Sequence, residues 1–252
     1  MRYLRLNRSM AAVFVLAVLS AAGCSSLAVP SHPAAGITAE EPSPPREGWW
    51  NIRFKIYWPD TSEKPSWYVD ALLADRVVGP VLARHRRDLA LWRFHRRAAD
   101  DDSGHQFSLI FYGTPATARK IYKAIEANPL LEEMKTRGLV VRIACDDTDN
   151  IRRPGLEGQS DRHWSPVVQK SWPYFIMGVS EMWLDLVHRI ADEERQTTEP
   201  ATMEEIQERY RKINARVDEL WGKEGGHAFL HHLNAVFGYE PVTVRGKYQV
   251  SF

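Results

Sequence analysis

Apolar side chains occupy every second position from 50 to 58 (Trp50, Ile52, Phe54, Ile56, Trp58), with Asn51, Arg53, Lys55 and Tyr57 between them. A period of two marks a strand with one buried face, and Pro59 stops it. Ser66 stands at the cap position of a helical pattern in which Trp67, Leu72, Leu73, Val77, Val81 and Leu82 share a face, and Gly79-Pro80 is expected to bend it. Alternation returns over residues 89–98. The polar run 100–104 then leads into a second alternating stretch, 105–112, so the two strands read as a hairpin. Thr114-Pro115 pairs a cap with proline at the first helical position. The helix beyond it carries Ile121, Tyr122, Ile125, Leu130, Leu131 and Met134, Asn128-Pro129 can divide it, and Gly138 ends it. Residues 139–145 supply a last strand.

The order strand, helix, strand, strand, helix, strand predicts an α+β fold of the ferredoxin-like kind, a four-stranded antiparallel sheet with both helices on one face. The alternation also sorts the side chains. If Trp50, Ile52, Phe54, Trp92, Phe94, Phe107, Leu109 and Phe111 face the helices, then Arg53, Lys55, Arg93, His95, Arg97, Gln106, Ser108 and Arg142 share the other face, which is basic. Arginines there would hold carboxylates of an acidic peptide or protein in bidentate fashion.

Beyond a polar crossover at 147–163, Ser165-Pro166 opens a strongly apolar stretch to about residue 191, expected as one or two core helices. Thr202 and Glu205 have the spacing of a capping box for a helix to about residue 223. Gly225-Gly226 is expected to break the chain before a short helix at 227–234, and 242–250 to add an edge strand. The expected organisation is thus a leader (1–23), a tether (24–48), the sheet half (49–146) and a helical half (147–252).

The leader reading rests on three parts in order: Arg2, Arg5 and Arg8, an apolar run over 10–19, and the small residues Ser20-Ala21-Ala22-Gly23 before Cys24. The run is too short to span a bilayer. Ala-Ala-Gly-Cys resembles the lipobox of bacterial lipoproteins, which implies cleavage before Cys24 and acylation of its thiol and amine, an anchor that holds firmly. Ser25, where the family's inner-membrane retention signal is Asp, implies the outer membrane, with the periplasmic face of the inner membrane as the alternative. Residues 25–48, rich in Ser, Pro and Ala, read as a flexible tether.

Charge changes little: 33 Lys and Arg face 32 Asp and Glu, and without Arg2, Arg5 and Arg8 the balance is 30 against 32. A near-neutral, exported chain is a poor nucleic-acid binder. If Cys24 carries lipid, Cys145 is the single remaining thiol, expected as a small buried hydrophobe rather than a nucleophile. His227 and His231 lie four apart on one helical face with His232 beside them, but no glutamate is interposed and no cysteine pair accompanies them, so no metal is assigned. No phosphate loop, Gly-x-Gly-x-x-Gly or Cys-x-x-Cys occurs, so no cofactor is assigned either.

The succession from Trp49 through Val78-Gly-Pro-Val81, Leu91-Trp-Arg-Phe-His95, the hairpin and Leu230-His-His-Leu-Asn-Ala-Val-Phe-Gly238 resembles the C-terminal elimination domain of lanthipeptide dehydratases, shared by stand-alone thiopeptide biosynthesis proteins. The resemblance implies a domain that binds a modified peptide, with sheet arginines and a late histidine performing elimination. Asn234 matches that pattern, whereas Ala235 stands where the family has arginine. Two readings follow. One is a non-enzymatic, lipid-anchored binding module using Arg53, Lys55, Arg93, His95 and Arg142. The other is a peptide lyase with His231 or His232 as acid–base group and Arg93 or Arg96 holding a leaving carboxylate. A purely structural envelope component is the third class.

Overall fold

The computed structural model describes residues 47–195, 202–244 and 248–250; the leader, Cys24 and all but the last two residues of the tether lie outside them. Strands β1 (Gly48–Ile56), β2 (Leu91–Ala98), β3 (His105–Gly113) and β4 (Val140–Cys145) form one antiparallel sheet in the order β2-β3-β1-β4. This is the ferredoxin-like order, α+β, followed by a helical C-terminal half.

The first connection is helical throughout: α1 (Trp67–Leu72), a π-helical turn (Leu73–Val78) and α2 (Gly79–His85). Ser66 sits at the N-cap position without a side-chain cap bond, because its backbone is not in the extended cap conformation. The irregularity lies in the π-helical turn rather than at Gly79-Pro80, since proline in the first turn of α2 has no helical N–H to lose. The second connection splits as its sequence implies. Thr114 Oγ1 accepts from the Thr117 N–H to start α3 (Pro115–Glu126), and Asn128 Oδ1 accepts from Leu130 and Leu131 to restart the chain as α4 (Pro129–Thr136). Gly138, at φ +74°, takes the left-handed turn that closes α4.

All eight apolar strand residues expected to face the helices are buried in one core with Leu72, Leu73, Val77, Ile121 and Ile125. Each such side chain contributes about 1.5–3 kcal/mol by leaving water. The helical half adds to the same core. Leu184, Val187, Ile190 and Ala191 come from α5 (Pro166–Arg195), a single helix with Pro173 inside it, and Met203, Tyr210, Ile213 and Val217 from α6 (Met203–Gly225). The capping box forms, with Thr202 and Glu205 each bonding the other's backbone N–H. Ser180 Oγ accepts the Phe94 N–H at 3.1 Å, so α5 closes the open edge of β2.

Three expectations for this half need correction. Only the C-terminal part of α5 is core; Val167, Val168, Tyr174 and Phe175 are exposed. Gly225-Gly226 does not break the chain, because both glycines keep right-handed helical dihedrals and α6 runs through a π-helical turn (Gly226–His231) into α7 (His232–Val236). The segment at 242–250 pairs with itself, β5 (Val242–Val244) against β6 (Tyr248–Val250), as a separate two-stranded sheet. Among the described residues no helix is long and apolar enough to cross a membrane.

Candidate anion-binding face

The strand registers assemble the second sheet face row by row. One row is His95, Ser108, Arg53 and Ala144; the next is Arg97, Gln106, Lys55 and Arg142; a third is Arg93, Ile110 and Asn51. Neighbours within a row stand about 4.8 Å apart and rows about 7 Å apart. All of Arg53, Lys55, Arg93, His95, Arg97 and Arg142 therefore lie on one surface, as the alternation implies.

The face is divided between two environments. At one end Trp49, Leu91 and Ile110 make a small second core with Tyr112, Leu156 and Met177. The chain after β4 folds back to cover it: Trp49 Nε1 donates to the carbonyls of Gly155 and Leu156 at 3.1 and 3.0 Å, and Tyr112 Oη donates to that of Pro154 at 2.7 Å. At the other end the cations remain half-buried or exposed, with His95 and Arg142 both exposed.

Some of the cations are neutralised locally. Arg53 Nη2 lies 2.5 Å from Asp146 Oδ1, whose other oxygen accepts from the backbone and side-chain N–H groups of Asn51. Arg97 pairs with Asp101 at 2.5 Å, and Lys55 Nζ donates to the Asp102 carbonyl at 2.8 Å. Among the described residues no ion pair reaches Arg93, His95 or Arg142.

Arg93 is the unusual member. Its guanidinium stacks over Trp172 of α5, 5.0 Å from the ring centroid, and its nearest oxygen acceptor is Gln159 Oε1 at 3.5 Å. Arg93 Nε and Gln159 Nε2 are buried without acceptors. Burial, with Arg153 adding repulsion, pushes the Arg93 pKa down to about 10. Partial desolvation of the ring and then the charges of Arg93 and Arg97 hold His95 below its ordinary value, so it is neutral at pH 7. A cation without a carboxylate partner, two donors without acceptors and a suppressed histidine thus stand together on one surface. Beside it, Arg53, Arg152 and Arg153 line a recess of about 60 Å³ with Asp146, Asp147 and Asn150.

The other sequence candidates lie elsewhere. Arg96 points to the helix face, where Asp70 Oδ2 accepts from its Nε at 2.8 Å and the rings of Trp67 and Trp183 flank it. His227, His231 and His232 stand together on the late helix with ring centroids 5.2–5.4 Å apart, and His231 also meets Tyr239 at 5.3 Å. Their ring contacts are with one another and with Tyr239, while the rings over Arg93 and Arg96 are Trp172, Trp67 and Trp183. Among the described residues no group of three or more His, Cys, Asp or Glu is placed to hold a metal ion. Cys145 is partly buried and packs against the main core; burial and Glu126 push its thiol up to about 12, the opposite of an activated nucleophile.

Two polar clusters were not anticipated. Asp70 and His105, both 0 % exposed, sit with Arg96 under Trp67. Asp75, in the π-helical turn, contacts His188 Nδ1 on α5 and Tyr210 Oη on α6. The available signal was a carboxylate on each side of the apolar positions Leu72 and Leu73 in an otherwise core-facing helix.

No family model matches the chain, and no curated protein matches it. Among solved structures, a crystal structure of TsrL is similar with a TM-score of 0.35 and 13% identity, over 57% of this chain and 35% of that one, so the chain spans little more than a third of TsrL's length. A superposition that partial leaves the residues themselves as the ground for function.

Proposed function

We propose that this protein is a non-enzymatic binding module, tethered to the outer membrane through an acylated Cys24, which captures an acidic peptide or protein segment on the cationic half of its second sheet face. Arg93 carries the reading. A guanidinium stacked on Trp172, facing Arg153 and lacking a carboxylate, is costly in the free protein and is compensated when a ligand carboxylate supplies the missing charge. His95, Arg53, Arg97, Lys55 and Arg142 extend the site along two further rows, the spacing of alternate side chains on an extended peptide. Arg152 and Arg153 flank it.

The test is fluorescence anisotropy with a labelled hexaglutamate peptide. Wild-type protein is expected to bind it saturably, and Arg93→Met to bind at least tenfold more weakly, since a charge-assisted hydrogen bond contributes about 1.5–3 kcal/mol. Arg93→Met should leave thermal unfolding unchanged or slightly raised. His231→Ala should leave peptide binding untouched. Absence of saturable binding, or equal affinity in the Arg93 variant, would refute the proposal.

A further inference from the structure

The first half of α5 is apolar on its outward side as well as on its inward one, where Met177 packs against the core. Its inward positions, Pro173 and Ser180, are buried, and the buried line continues through Leu184 and Val187. The outward positions of a solvated helix should be polar. Here they are Val167 at 75% exposure, Val168 at 47%, Phe175 at 47% and Val179 at 38%, with Tyr174 at 56% on the flank and only Ser171 and Gly178 between them. Trp164, 38% exposed, sits just ahead of the helix. This is a continuous apolar stripe over more than three turns, and such a stripe marks a contact surface.

Charge identifies what it contacts. Residues 162–180 contain Arg162, His163 and Lys170 and not one Asp or Glu; Arg162 and Lys170 are both exposed. Valines flanked by Trp, Tyr and Phe, with cations and no carboxylates, match the boundary between headgroups and acyl chains of an anionic bilayer. A two-fold contact between copies fits less well, because it would set Arg162 and Lys170 against their own copies, while the acids at the borders are engaged elsewhere, Glu181 with Arg86 and Asp161 with the His163 N–H.

We propose that the first half of α5 lies in the plane of an anionic phospholipid surface, with Val167, Val168 and Phe175 entering the acyl boundary and Arg162 and Lys170 meeting lipid phosphates. This is separate from anchoring at Cys24. Docking through α5 sets which way the sheet face looks.

The test incorporates the photo-crosslinking residue p-benzoylphenylalanine at Phe175 of the full chain, with the same probe at Val168 as a second reporter and at exposed Lys212 of α6 as the reference. The chain is bound to vesicles of phosphatidylglycerol and phosphatidylethanolamine, or of phosphatidylcholine alone. Lipid adducts at 175 and 168 should exceed those at 212 about tenfold on the anionic vesicles. Lys170→Glu and high salt should each reduce the yield. Equal yields at the three positions, indifference to lipid charge, or adducts at 175 joining two copies of the chain would each overturn the proposal.

Discussion

Replacing Asp70 by Asn keeps the shape of the side chain and removes one charge from the centre of the fold. Asp70 is fully buried, its Oδ2 2.8 Å from Arg96 Nε and its Oδ1 2.9 Å from His105 Nε2, a contact not aligned as a hydrogen bond. Arg96 also donates to the Trp67 carbonyl at 3.2 Å and lies between two indole rings, 5.1 and 4.6 Å from their centroids. Removing one partner of a buried pair costs about 3–5 kcal/mol, because the other is left charged and unpaired. Arg96 keeps 25% of its side chain in contact with solvent, which places the expected loss near the lower bound, about 3 kcal/mol. In a chain of this size that lowers Tm by about 6–12 °C. Arg96→Met should cost a similar amount by stranding Asp70. The double variant should lose less than the sum of the two by about 1–3 kcal/mol, since neither charge then remains. Urea unfolding followed by tryptophan fluorescence and circular dichroism measures all three. A loss below about 1 kcal/mol for Asp70→Asn, or additivity within about 0.5 kcal/mol, would show that the pair does not organise this part of the core.

Two further predictions concern titration. His95 has a depressed folded pKa, so the unfolded chain takes up a proton that the folded one resists, and this group makes stability fall as pH drops through about 6.5. A bound carboxylate reverses the local field, so hexaglutamate affinity should rise between about pH 7 and 5; His95→Gln should flatten both trends, and an unchanged binding profile in that variant would exclude His95 from the site. Cys145, with its thiol near 12, should react with a disulfide reagent at pH 8 about 100-fold more slowly than in the urea-unfolded chain, read by mass spectrometry of its peptide; labelling at equal rates would contradict the burial that sets its pKa.

The sheet was legible because its signal is local. One face of each strand is packed in the main core and the other is polar or partly covered, so period two survives in β1, β2 and β3 and determines which side chains share a face before any pairing is known. The caps at Thr114, Asn128 and Thr202 were legible for the same reason, a side-chain oxygen bonding an N–H two or three residues away. What was not legible depends on distant chain. Asp70 and Asp75 are tolerated in an apolar face because Arg96 and His105, and His188 and Tyr210, arrive from other elements. The apolar composition of α5 implies burial, but only half of the helix finds protein to bury against. Likewise Trp172, Gln159 and Arg153 belong to the site through the fold of the crossover and α5, and no spacing in the sequence connects them to Arg93.

The two halves of the second sheet face can be weighed against each other. Where Trp49, Leu91 and Ile110 lie, the crossover supplies apolar cover and carbonyls for the indole and phenol donors, so that end is satisfied by the chain itself. Four to six residues further along the same strands, Asp146, Asp101 and the Asp102 carbonyl satisfy Arg53, Arg97 and Lys55. Arg93 falls between these regions. It is too deep for water to compensate fully, yet its company is an aromatic ring, an amide oxygen at 3.5 Å and a second arginine, when one carboxylate from the crossover would have balanced it. Glu157 sits in that same crossover, but the ion pairs among the described residues do not join it to Arg93. His95 and Arg142 also lack ion pairs among the described residues but are exposed to water, so the imbalance is sharpest at Arg93, and a ligand carboxylate placed there would gain the most from entering.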